Sequence, residues 1–286
     1  MANEKLIADI QSADKDVRFA AWRGAGGADA SAIADLSKLV GAANPGVAKA
    51  AREALTTMVH AMGKDAAHPN RPAAVQQLLA VASAESSPFA ARVHALRLLS
   101  NIAGQDAVPA LARLFRNEAL REEAIYAVER VPGEASNKAL LAALAAAKDD
   151  FKPRVLAALG HRRVAEAAQP CADAMRSSNA DAAAAAARAY GRIGRKAAGS
   201  VTWPKTEDPD SVLRFADGQR EQGNASEALR IYKTMLTRAE EHLQCAGIIG
   251  LSKLKTAEAV AAIFPLLKHS NPKVRITAAN AWKATA

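Results

Sequence analysis

Apolar residues recur along this chain at three- and four-residue spacing, in segments separated by short polar turns. Ile33, Leu36, Leu39 and Val40 share one helical face, as do Val75, Leu78, Leu79 and Ala82. Val108, Leu111, Leu114 and Phe115 repeat the arrangement, and Val260, Ile263, Leu266 and Leu267 repeat it again. Each such segment predicts an amphipathic helix with one buried stripe. Pro109 and Pro265 fall inside two of them and predict a bend or break, because a proline removes an internal hydrogen bond.

A second set of segments follows the first, each opening on a polar turn. Examples are Asp14-Lys15-Asp16-Val17-Arg18, Asn44-Pro45-Gly46-Val47, Ser87-Pro88-Phe89, Asn117-Glu118-Ala119, Asp149-Asp150-Phe151-Lys152-Pro153-Arg154, Ser178-Asn179-Ala180-Asp181 and Asn271-Pro272-Lys273-Val274-Arg275. Asp, Asn or Ser supplies an oxygen to the orphan amides of a helix start. Proline then fits the first helical position, where its missing donor costs nothing. Gly63, Gly104, Gly160 and Gly194 stand where several second helices should stop, in the left-handed conformation glycine adopts readily. The chain therefore predicts repeated helix–turn–helix units, each unable to bury its apolar face alone.

With a unit of roughly 30 to 40 residues, a proline in the first helix, an Asp/Asn turn and a Val-Arg opening of the second helix, the sequence resembles HEAT repeats. It is close to the bacterial HEAT-like class, also called the PBS-lyase type. The resemblance covers about 1–196 and 255–286, and Ala48-Lys49 departs from the Val-Arg pattern. It implies an all-α fold: a right-handed α-α superhelix, or solenoid, of stacked antiparallel helix pairs. Residues 197–254 break the pattern. An irregular connection carries Trp203-Pro204 and Glu207-Asp208-Pro209-Asp210, after which Leu213, Ala216, Gly223, Glu227-Ala228-Leu229 and Tyr232 resemble one tetratricopeptide hairpin. A further helix with Leu243, Ile248, Ile249 and Leu251 follows. The expected organisation is a HEAT-like array over 1–196, the irregular connection and hairpin over 197–254, and a last HEAT-like pair over 255–286, in one continuous solenoid.

Composition agrees with close helix packing. Half of the residues are hydrophobic but only 4% are aromatic, and alanine lets helix backbones approach where sheets would favour β-branched and aromatic side chains. Cys171 and Cys245 are far apart, with no metal-ligand spacing, and read as two thiols of a reduced compartment. No apolar run is long and bulky enough to span a bilayer. The first residues show no secretory signal, so the cytoplasm is the expected location; a secreted chain whose signal had been removed would read the same.

Net charge is +9, which favours an acidic partner without choosing among nucleic acid, an anionic surface and an acidic protein. Two sets of cations stand out. Arg18, Arg92, Arg121, Arg154 and Arg275 open second helices; in HEAT families this arginine binds a turn Asp or a carbonyl of a neighbouring unit, and the alternative is a row of charges in the groove. Arg23, Lys64, Arg130, His161-Arg162-Arg163, Arg192, Arg195-Lys196, Lys253 and Lys255 lie where second helices end. Cations at helix C-termini complement the macrodipole, or else they form an anion-binding edge, densest at Arg162, Arg163, Arg192, Arg195 and Lys196. Trp22 and Trp282 are expected to fill the ends of the array, and Trp203 to anchor its loop or serve as a contact residue.

No HExxH, phosphate loop or nucleophile motif is present, and none of the six histidines has a catalytic neighbour in sequence. The expected function is a non-catalytic protein-interaction scaffold, without cofactor or metal, for a protein partner with an acidic surface. Arg162, Arg163, Arg192, Arg195, Lys196 and Trp203 are its candidate binding residues. Nucleic-acid binding of the HEAT-like DNA-glycosylase kind is the alternative, weakened by the scarcity of aromatics for base stacking. A role in chromophore attachment rests on the class name alone.

Overall fold

The computed structural model describes residues 3–148, 150–193 and 208–285, and no strand occurs among them. The chain divides into two compact units, 1–143 and 144–286.

In the first unit α1 (Asn3–Ile10), α3 (Ala32–Leu39), α5 (Arg71–Ser83) and α7 (Val108–Arg113) are first helices. Their partners are α2 (Lys15–Arg23), α4 (Pro45–Gly63), α6 (Phe89–Ile102) and α8 (Arg121–Arg130). Each first helix packs on its partner, and the second helices stack in turn, α2 on α4, α4 on α6, α6 on α8. The predicted stripes are the core: Ile33, Leu36, Leu78 and Leu111 are fully buried, facing Leu55, Met58, Leu96 and Leu99. The unit boundary falls within α9 (Glu134–Ala146).

The second unit contains α10 (Lys152–His161), α11 (Ala168–Ala174), α12 (Ala180–Ile193), α13 (Pro209–Gln222), α14 (Ala225–Leu236), α15 (Glu241–Ser252), α16 (Ala257–Ile263) and α17 (Pro272–Thr285). Small residues set its spacing. A Cβ at Gly191 would collide with the Arg214 carbonyl oxygen, and one at Gly218 would stand 2.7 Å from Gly191 Cα. The alanines of α12 are buried on nearly every side, so this helix is an internal spacer between α10 and α13. Each unit is thus a stack of antiparallel helix pairs, the all-α arrangement of a HEAT-like solenoid.

Helix starts follow their sequence signals. Asp14, Asn44, Asp208 and Thr256 accept from first-turn amides, and Asn179 and Asn271 accept from Ala182 and Lys273. Gly223 closes α13 in the left-handed conformation at φ 91°, and α14 returns antiparallel to it, with the Tyr232 hydroxyl on Asp217.

Three expectations need correction. Pro109 does not bend a helix: residues 105–107 form a 3-10 turn and Pro109 sits in the first turn of α7, where no internal bond is lost. Pro265 does break its segment, since α16 stops at Ile263 and 264–268 tighten into a 3-10 helix. The glycine stops are also different. Gly63 and Gly160 are helical, Gly104 has φ −101°, and the left-handed positions among the described residues are Gly133, Gly223, Arg163 and Lys255. Gly160 is small because Ala189 lies against it; Gly194 lies outside the described residues. Finally, three of the second-helix arginines, Arg18, Arg92 and Arg275, bind carbonyls of their own pair rather than a neighbour's. Arg18 donates to Ser12 and Ala13, Arg92 to Ala82, and Arg275 to His269 and Ser270. They tie each turn to the helix that follows it.

Candidate interaction surface

Large apolar side chains left in water concentrate on one kind of helix. Among the described residues these are Val17, Phe19, Phe89, Tyr126, Ile249, Ile276 and Phe264. All except Phe264 lie on α2, α6 and α8, second helices of the first unit, or on α15 and α17, which stack on each other in the second unit as second helices do in the first.

In the first unit this face is held by contacts that cross from one second helix to the next. The His94 ring on α6 reaches the Arg52 carbonyl of α4 at 3.2 Å and the Thr56 hydroxyl at 3.4 Å. Burial, with Arg52 and Arg97 nearby, holds the His94 pKa below the ordinary histidine value. Arg97 clasps Glu123 of α8 through two nitrogens, the shortest contact 2.6 Å. Arg130 covers the Tyr126 ring at 5.6 Å, and Arg23 covers Phe19 at 5.5 Å. Such pairings fix polar side chains around exposed aromatic rings. An open cleft of about 350 Å³ lies beside this face, lined by Val59, His60, Gly63, Lys64 and Asn101.

In the second unit Glu241 of α15 accepts from Lys273 at 2.5 Å and Asn271 at 2.7 Å, and Thr277 donates to the Cys245 sulfur at 3.4 Å. These bonds set α15 and α17 side by side in parallel. Trp282 is half-buried on Phe264, ring centroids 5.1 Å apart, and Trp22 packs edge-on to Phe19 at 5.2 Å. Both tryptophans lie in the first and last described pairs without being sealed.

Of the predicted basic residues, Arg162 follows α10 as its cap, Arg163 follows it, and Arg192 is in the last turn of α12. Gly160 touching Ala189 brings these helix ends together. Arg162 and Arg192 already engage partners; Arg163 is exposed. Arg195, Lys196 and Trp203 lie outside the described residues.

Sequence reading missed Arg188, which donates to Asp208 at 2.7 Å and Ser211 at 2.8 Å. Burial alone would raise the Asp208 carboxyl, but the bonds from Ser211 and Arg188 carry it below its ordinary value. It also missed the Tyr232 hydroxyl, which donates to Asp217 at 2.7 Å and is raised by burial and that carboxylate. Both join helices across the α12–α14 region, and neither lies in a local motif. Among the described residues no three metal-capable side chains converge, and no helix is long and apolar enough to cross a membrane.

These features define a helical-repeat protein with an exposed second-helix face. Among solved structures, a mutant of Kap121p, a HEAT solenoid, is similar over 99% of this chain and 41% of its own, at 10% identity and TM-score 0.52. An engineered protein is similar at 19% identity over 99% of this chain and 78% of its own, TM-score 0.39. The complex of CpcE and CpcF of phycocyanin lyase from Nostoc sp. PCC7120 is similar at 17% identity over 100% of this chain and 95% of that one, TM-score 0.37. No protein-family model matches the chain, and no curated protein matches it.

Proposed function

We propose that this protein is a non-catalytic interaction scaffold that binds a protein partner along its second-helix face, in the manner of HEAT-like repeats of the PBS-lyase type. The observation that carries this reading is the placement of Phe19, Phe89, Tyr126, Ile249 and Ile276, exposed on second helices while the first-helix stripes are buried. Exposed aromatic rings, here Phe19 and Tyr126 each covered by an arginine of its own helix, are the anchors that protein interfaces use. Stacked helix pairs present such anchors over a long surface without needing a pocket.

The test is site-specific photocrosslinking in cells, with a photoreactive residue at Phe89 or Tyr126 and, as control, at Lys138, which is exposed on α9. One discrete adduct from the second-helix positions, absent from Lys138 and lost when Phe89 and Tyr126 are both alanine, supports the reading. Equal labelling at all three positions overturns it.

A further inference from the structure

The excess positive charge is not shared between the units. Residues 1–143 hold 16 Lys and Arg against 15 Asp and Glu, whereas 144–286 hold 22 against 14. Within the second unit, helix direction gathers an excess of cations at one edge. Gly160 meets Ala189, Gly191 meets Gly218, and Tyr190 meets Gln222, so α10, α12 and α13 run parallel. The hairpin at Gly223 and the approach of Gly247 to Met235 and Gly250 to Tyr232 reverse the chain twice, bringing α15 parallel to α13. Lys273 on Glu241 and Thr277 on Cys245 align α17 with α15. The C-terminal ends of all five helices therefore share one edge.

Arg162, Arg163, Arg192, Lys253, Lys255 and Lys283 lie on that edge, with Glu166, Glu221 and Glu258 beside them. Asp150, Asp181, Asp208, Asp210, Glu240 and Glu241 lie at the opposite ends, where Lys152, Arg154, Lys273 and Arg275 balance them. Among the described residues, Arg163, Lys253, Lys255 and Lys283 are exposed and have no carboxylate within ion-pair distance. A second observation singles out two of them. Arg163 (φ 52°) and Lys255 (φ 54°) adopt the left-handed conformation in turns between a second helix and the next first helix. The turn after α8 uses Gly133 for this at φ 100°. A side chain there strains the backbone in a way that glycine would avoid. At two comparable turns of the basic edge, long cations stand in its place.

We propose that this edge docks an extended acidic polypeptide segment, with acidic side chains at about every third position. This deepens the scaffold reading and rests on it for the partner being a protein. Adjacent packed helices stand about 10 Å apart, and a chain extended in the polyproline II form advances about 3.1 Å per residue with three residues per turn, so that every third side chain points the same way. One step between helix ends thus matches about three residues, and the span from α10 to α17, four steps, matches about twelve. An extended peptide places side chains at that interval, whereas a nucleic-acid strand would call for exposed rings on which bases stack, and the large exposed rings of this unit reduce to Phe264 among the described residues.

The experiment uses the whole chain and fluorescent peptides of about twelve residues built from the repeat Glu-Ser-Gly, beside a peptide of the same composition with its glutamates contiguous and a duplex DNA of matched charge. The periodic peptide is expected to bind at low ionic strength about tenfold more tightly than the contiguous one, and to weaken with added salt. The doubly substituted Arg163→Gly, Lys255→Gly protein is expected to lose that binding by about tenfold while melting at the same or a higher temperature, because the strain is relieved. Equal binding of the two peptides, or unchanged binding by the substituted protein, overturns the proposal. Tighter binding of duplex DNA that the same substitutions abolish also overturns it, in favour of a nucleic acid. Crosslinking from Phe89 and Tyr126 reads a different unit. Its failure with peptide binding intact would sink only the second-helix reading, and its success with peptide binding absent would sink only the basic edge.

Discussion

Gly160 and Ala189 meet backbone to backbone: a Cβ added at 160 would stand 2.6 Å from Ala189 Cα. Alanine normally favours a helix interior by about 1 kcal/mol over glycine. Here that gain is opposed by contact with a main-chain atom that cannot swing aside. Overpacking of this kind costs about 1–3 kcal/mol, so the clash wins. Gly160→Ala should lower the melting temperature, and Gly160→Val should lower it further. A rise in melting temperature for Gly160→Ala would show that α10 and α12 can slide apart freely.

The second-helix arginines lend themselves to a similar test. Arg275 donates to the carbonyls of His269 and Ser270, each at 2.7 Å, closing the turn ahead of α17. Hydrogen bonds from a charged donor are worth about 1.5–3 kcal/mol when the acceptors would otherwise be lost to the fold. Part of this site faces water, so Arg275→Ala should cost about 1–2 kcal/mol in a urea titration. Both bonds leave the terminal Nη1 of the guanidinium, so Arg275→Lys should recover less than half of that, since an ammonium on a shorter and more flexible stem does not hold a donor at that point. Full recovery by lysine would mean that charge at the turn matters and geometry does not.

Much of this was legible from the chain, for a physical reason. Helix stripes, Asn and Asp caps and the Gly223 stop are local signals, readable within a few residues, and Ile33, Leu36, Asn44 and Gly223 stand where those signals put them. The surface was harder to read. Ile276 follows Val274 by two positions in a helix, which turns it away from the core, but nothing local says that the side it turns to stays in water. Arg188 finds Asp208 and Ser211 only because α12 and α13 pack together, twenty and more residues apart. The glycines misled because close approach and left-handed backbone both select glycine. Gly160 serves the first need, and at Arg163 and Lys255 the second is met without glycine.

The two thiols should separate cleanly in reactivity. Cys171 is fully buried, and burial pushes its pKa up to about 12. Cys245 is partly exposed on the second-helix face beside Thr277. Because the thiolate is the reacting species, a disulfide reagent at neutral pH should titrate Cys245 in the native protein and Cys171 only after denaturant is added. Cys245→Ser should abolish the native reaction. Two equally fast thiols would mean that the α11–α12 region opens readily.

His94 ties α4 to α6 and should make the first unit sensitive to acid. Its ring faces Arg52, Glu53 and Thr56 from α4 and Arg97 from its own helix; Arg97 in turn is held by Glu123 of α8. Desolvation is the largest influence, and it holds the folded pKa below the value near 6.5 of an unfolded chain. Above that unfolded value both states carry a neutral ring, and the contribution to stability is complete. As pH falls below it, the unfolded chain takes up its proton first, so stability declines until the folded pKa has been passed. The urea midpoint should therefore drop between about pH 7.5 and about pH 5.5, and the drop should be smaller in His94→Gln, which keeps a donor for the Arg52 carbonyl without titrating. An identical drop in the variant would assign the acid sensitivity to other groups and leave His94 as a neutral strut between the helices.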